Sequence, residues 1–128
     1  MIEIKRKGSR SIKEIPATIL EQLNRGEIES ANLVEFLGVD RKILLENLLM
    51  QCGRKKYLEP ILKRLDKLEK QTPKTVYETI AMGIYEQIRA HHDSDLLFTI
   101  SRHRSDIVRC WATYIIGKNT ELSVQQML

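Results

Sequence analysis

Three groups of side chains in this chain bring reactive or charged functions close together. His91-His92 with Asp93 and Asp95 offers metal-ligating residues in one short stretch. Adjacent histidines on a helix point about 100° apart, however, and no third ligand follows at a regular spacing, so cations at the C-terminal end of a helix are the better reading. Asp106 could act as a general acid or base, and Trp111, the sole tryptophan, could press on a base or sugar. Both also have structural reasons to be present. Asp106 stands where a helix needs an N-cap, and Trp111 shares a helical face with Val108, Ala112 and Ile115. No phosphate-binding glycine loop, serine-nucleophile motif or nucleotide fingerprint occurs, so no catalytic residue, metal ligand or cofactor is assigned.

The third group is positive charge, and it is unevenly placed. Residues 1–13 hold Lys5, Arg6, Lys7, Arg10 and Lys13 against Glu3 alone, which equals the +4 net charge of the whole chain. Residues 54–70 carry seven basic side chains against Glu59, Asp66 and Glu69, offset by acidic stretches on either side. Lys55, Lys56, Lys63, Arg64, Lys67 and Lys70 include members three, four and seven apart, so several share a helical face. Arg102-His103-Arg104 forms a short basic turn, and Arg109 follows it. Such clusters suit phosphate contacts, although a charged helix face is often merely solvated. Lys5, Arg6, Lys7, Arg10, Lys55, Lys56, Arg102, Arg104 and Arg109 are the candidate DNA contacts. Arg109 could instead pair with an acidic group of a neighbouring element.

The framework carrying these groups reads as helical. Only three prolines and six glycines occur, mostly where helices should begin or end, and the 42% hydrophobic content fits one packed domain. Residues 1–13 read as a basic N-terminal arm, and residues 14–128 as a helical repeat domain truncated at its C-terminus. Pro16 opens a helix that Asn24-Arg25-Gly26 ends. Ser30 is placed to cap a short one closed by Gly38, and Asp40 caps a third over 40–52 with Leu44, Leu45, Leu48 and Leu49 on one face. Helices over 57–70, 73–91 and 94–101 follow, the longest opened by Thr72-Pro73. Gly83 within it would allow close helix contact. Ser105 or Asp106 caps a helix that Gly117 ends, and Ser123 starts a final piece. Leu44, Leu48, Ile61, Leu65, Ile84, Trp111 and Ile115 are expected in one core.

No apolar run approaches the roughly 20 residues of a membrane span, and the first residues lack the apolar stretch of a signal peptide, so no membrane association and a cytoplasmic location are expected. Cys52 and Cys110 lie far apart on apolar faces and read as reduced core residues.

Connections of two to six residues imply antiparallel neighbours. Whether 94–101 pairs with 73–91 or with 105–117 stays open. The hairpin 95–117, with Asp106, Val108-Arg109 and Ala112 opening its second helix, resembles one HEAT repeat. The run Arg10-Ser11-Ile12-Lys13-Glu14-Ile15-Pro16 through Leu20-Glu21-Gln22-Leu23-Asn24-Arg25-Gly26-Glu27-Ile28-Glu29 to Asp40, with Ser105 to Ala112, resembles the N-terminal part of the DNA alkylation repair family.

That resemblance implies an all-α, right-handed superhelix of HEAT-like antiparallel helix pairs, and duplex DNA as partner. Characterised members of the family are alkylpurine DNA glycosylases that hold duplex in a basic concave groove and use an acidic residue and aromatics to release the damaged base. They are longer than this chain, and no catalytic position carries over, so excision is expected only of a longer form. The alternative is a non-enzymatic scaffold for a protein partner. Leu122, Val124, Met127 and Leu128 begin an apolar face with nothing after it, which predicts either a fragment or an end covered by a second copy.

Overall fold

The computed structural model describes the backbone of residues 7–127 and the side chains of 7–118. It is all-helical: α1 (Ala17–Asn24), α2 (Leu33–Gly38), α3 (Arg41–Gln51), α4 (Leu58–Asp66), α5 (Pro73–His91), α6 (Ser94–Ser101) and α7 (Asp106–Met127), with 3-10 turns at Ile12–Glu14 and Lys55–Tyr57. No strand occurs among the described residues.

The start of α5 shows local sequence dictating structure. The Thr72 hydroxyl accepts from the Thr75 amide at 3.1 Å while the Thr75 hydroxyl accepts from the Thr72 amide at 2.9 Å, and Pro73 occupies a position whose amide would have no helical partner. Asp40 caps α3 by accepting from the amides of Lys42 and Ile43.

Three boundaries differ from expectation, and at a fourth the choice left open between two caps is resolved. Gly117 does not end its helix: α7 runs through Gly117 and Ser123 to Met127. A glycine inside an exposed helix costs only about 1 kcal/mol, and no proline follows to interrupt the hydrogen-bond ladder. Ser30 does not cap α2; Asn32 does, accepting from the Glu35 amide at 3.0 Å. Asp106 does not cap α7; the Ser105 hydroxyl accepts from the Val108 amide at 3.4 Å, and the Asp106 carboxylate is used elsewhere. Finally, α4 stops at Asp66 rather than near residue 70. The C-terminal apolar face at Leu122, Val124, Met127 and Leu128 lies outside the described side chains.

Helices pack both on their sequence neighbours and across them. α1 lies on α3, α4 on α5 and α6 on α7, with α5 also contacting α3, α6 and α7. The 95–117 segment is therefore a hairpin of α6 and α7. Leu44, Leu48, Ile61, Leu65, Ile84, Trp111 and Ile115 are all essentially inaccessible and belong to one core. α4 and α5 approach closely at Gly83, where an added Cβ would stand 2.7 Å from Ile61 Cγ1. α2 is the exception to apolar burial: Leu33 is 69% and Leu37 45% exposed, whereas Glu35 is buried and its carboxylate accepts from the Ala31 amide at 2.9 Å.

Candidate functional site

The α6–α7 turn is the most highly organised polar feature. Its backbone is gripped from inside by Arg109, whose Nη1 donates to the carbonyls of His103 at 2.7 Å and Arg104 at 2.9 Å, while Nη2 meets Glu29 Oε2 at 2.8 Å. His103 Nδ1 accepts from the Ser105 amide at 3.0 Å, and burial first, then Arg109 and Arg104, push the imidazole below its ordinary pKa. A neutral ring accepting at Nδ1 carries its proton on Nε2. The ring rests on Gly26, whose φ of +73° ends α1 and where a Cβ would come within 2.8 Å of His103 Cε1.

Asp106 completes this knot. Its Oδ1 accepts from the Ser30 amide at 3.0 Å and the Ser30 hydroxyl at 3.1 Å. The connection between α1 and α2 is thereby fastened to the beginning of α7. Arg102 and Arg104 remain exposed on this fixed turn, Arg102 stacked 4.3 Å over the ring of Phe98. The N-terminal arm is attached to the start of α2: Asn32 Nδ2 donates to the Ser9 carbonyl at 2.8 Å, next to exposed Lys7 and Arg10.

Lys55 and Lys56 belong to a second knot. Arg54 Nε and Nη2 donate to Asp93 Oδ2 and Oδ1 at 3.0 and 2.9 Å, and the Tyr57 hydroxyl donates to Oδ2 at 2.7 Å. This fork holds the Asp93 carboxyl at about 2, chiefly through Arg54, and raises the Arg54 pKa. His91 stacks on Tyr57 with centroids 5.0 Å apart, and His92 takes the left-handed conformation that ends α5. Asp93 thus joins two connections, with His91 stacked on Tyr57 beside it, and among the described residues no group of three potential ligands could hold a metal ion. Cys52 and Cys110 are unpaired and half-buried, their thiols pushed up mainly by burial.

The sequence-predicted DNA contacts are therefore divided. Arg102 and Arg104 sit at one end of α6, the Arg54–Asp93 knot with Lys55 and Lys56 at the other, and eight helical residues separate the ends by about 12 Å. Lys7 and Arg10 are tied to α2; Lys5 and Arg6 lie outside the described residues. Arg109 is engaged by Glu29 and two carbonyls, which fits pairing with a neighbouring element. Trp111 is wholly buried, and its Nε1 has no hydrogen-bond partner.

Arg54 and the half-buried Arg41 were not distinguished in the sequence from the lysines beside them. The one available signal was residue type, since a guanidinium makes a two-pronged bond that an ammonium does not. Arg41 donates to the Val39 carbonyl at 2.6 Å and lies 4.9 Å over the Phe36 ring, and burial lowers its pKa. No helix among the described residues is long and apolar enough to cross a membrane. Compared with known proteins, the chain matches no family model, no curated protein and no solved structure.

Proposed function

We propose that the chain is a cytoplasmic HEAT-like helical-repeat protein related to DNA alkylation repair, which holds duplex DNA by its phosphates and excises bases only in a longer form. The packing of α4 on α5 and of α6 on α7 supports the repeat reading, in which a right-handed superhelix would result. The observation that carries DNA binding is the α6–α7 turn. Two exposed guanidiniums stand on a backbone already immobilised by Arg109, so contacting phosphate costs little further ordering. Excision is not assigned to this chain, because Asp106 is spent on Ser30 and Trp111 is inside the core.

Nothing here resembles a recognition helix, so binding should be indifferent to base sequence and governed by salt. A labelled duplex titrated at several salt concentrations should give a log–log slope of about −3 to −4 if three to five phosphates are neutralised. The double charge reversal Arg102→Glu with Arg104→Glu should shrink that slope by roughly one for each phosphate no longer neutralised. Lys55→Glu with Lys56→Glu tests the far end of α6 in the same way. Binding undetectable at low salt would favour the second reading, a non-enzymatic scaffold. Its support is α2, which exposes Leu33 and Leu37 one helical turn apart.

A further inference from the structure

A single titratable ring fastens the α6–α7 turn to the end of α1. His103 is half-buried and occupies the space that a side chain on Gly26 would need: an added Cβ there would stand 2.8 Å from Cε1 and 3.6 Å from Nε2. The same point is 3.3 Å from Leu44 Cδ1, so the imidazole fills a notch between a glycine at positive φ and an apolar side chain of α3. Nδ1 accepts from the Ser105 amide at 3.0 Å, and a nitrogen that accepts carries no proton. Further proton uptake must therefore occur at Nδ1, because Nε2 already holds the ring's one N–H. That would set two N–H groups against each other and leave a positive charge in the notch.

The surroundings of the ring oppose that charge. On the turn and α7, Arg104 and Arg109 lie close enough to act on it, Arg102 is turned to Phe98, and Asp106 bonds Ser30 and faces Arg41. In the connection after α1, Glu27 lies 4.0 Å from Arg25 and Glu29 2.8 Å from Arg109. From α3 come Leu44 and the neutral amides of Asn47 and Gln51, which donate to the Asn24 and Arg25 carbonyls. Among the described residues no carboxylate bonds either ring nitrogen.

We propose that His103 is an acid-released latch: a proton taken from water at Nδ1 breaks the bond from the Ser105 amide and turns the ring out of the Gly26–Leu44 notch, loosening the α6–α7 turn from α1. The Ser30–Asp106 and Glu29–Arg109 contacts keep the two ends of the domain together, so the opening is local rather than global. Burial first, then Arg109 and Arg104, hold the folded ring below its ordinary value near 6.5. The latch is accordingly closed above pH ~6.5 and opens as pH falls through the depressed value. It is a property of the chain alone, so it and the DNA reading can fail separately.

The test is an NMR titration of the full chain from pH 7.5 to 5.0, a range that crosses the ordinary histidine value and stays above ordinary carboxylate values near 4. The expected result is an Nε2–H tautomer at pH 7.5, a His103 midpoint below about 6.5, and Ser105 and Gly26 amide shifts that follow the same midpoint. Across it the Ser105 amide should lose about tenfold in protection against hydrogen exchange, with far-ultraviolet circular dichroism unchanged. His103→Asn puts an amide oxygen that does not titrate in the place of Nδ1, and should keep the Ser105 amide protected at both ends of the range. A His103 midpoint at or above 6.5, proton uptake that leaves the Ser105 and Gly26 amides unmoved, the same amide transition in His103→Asn, or loss of helix at the same midpoint would each overturn the proposal.

Discussion

Asp106 and Ser30 are 76 residues apart in the chain and share two hydrogen bonds, from the serine amide and the serine hydroxyl to one carboxylate oxygen. With Arg109–Glu29 beside them, they connect the first helices of the domain directly to the last. A linear stack, in which each hairpin meets only its sequence neighbours, would lack this contact, which therefore counts against the repeat reading proposed above.

Asp106→Ala should accordingly lower stability by about 1.5–3 kcal/mol, the range for hydrogen bonds to a charged group. Ser30→Ala removes only the hydroxyl bond and should cost less. In a double-mutant cycle followed by urea unfolding, the two substitutions should couple by about 1 kcal/mol. Additive costs would mean that the Ser30 hydroxyl does not act through Asp106.

The Arg54–Asp93 fork predicts acid sensitivity. The folded carboxyl, held at about 2, lies below its unfolded value near 3.9, so the stabilisation is complete above pH ~4 and disappears as pH falls toward 2. Its full size is about 2.5 kcal/mol, a magnitude credible for a carboxylate whose side chain is only 10% exposed. Urea midpoints at pH 7, 4 and 2.5 should show Asp93→Asn to be less stable than the natural chain at pH 7, with a flatter decline into acid. An unchanged acid slope in that variant would place the titration in another group.

Two glycines should respond to alanine with opposite signs. At Gly83 the new methyl would stand 2.7 Å from Ile61 Cγ1, so Gly83→Ala should destabilise by about 1–3 kcal/mol, and should cost less in an Ile61→Ala background, which lacks both γ-carbons. At Gly117 nothing lies within 4 Å of an added Cβ and the residue is inside α7, so Gly117→Ala should stabilise by up to about 1 kcal/mol. Thermal unfolding of the two variants side by side reads both signs.

Trp111 contributes area and shape rather than a polar contact, since its buried Nε1 has no partner. Trp111→Ala should cost about 3–5 kcal/mol through the cavity it leaves. Trp111→Phe also removes the unpartnered donor, which offsets part of the lost packing, and should cost about 1–2 kcal/mol. Unfolding followed by circular dichroism is the suitable measurement, and equal costs for the two variants would show that the indole nitrogen has a role in the core.

Helical character, the order of the main helices and most of the core were legible in the residues alone. Those features follow from local rules: the Thr72-Pro73 start, the Asp40 cap and the stripe Leu44, Leu45, Leu48, Leu49 each act within a few residues. The roles of the polar residues emerged only once the helices were packed together. Asp106 had one plausible local use, as a cap, and gave it up because Ser105 takes that place and Ser30 arrives from the other end of the chain. Arg54 looked like one more cation in a basic run until α5 delivered Asp93 to it. Even Gly117, a reasonable stop signal, was passed over because its cost in the helix interior is small against a continued hydrogen-bond ladder. Periodicity and capping are short-range and so are written in neighbouring residues, whereas a charge is satisfied by whichever group the packed helices bring within about 3 Å, and sequence distance says nothing of that.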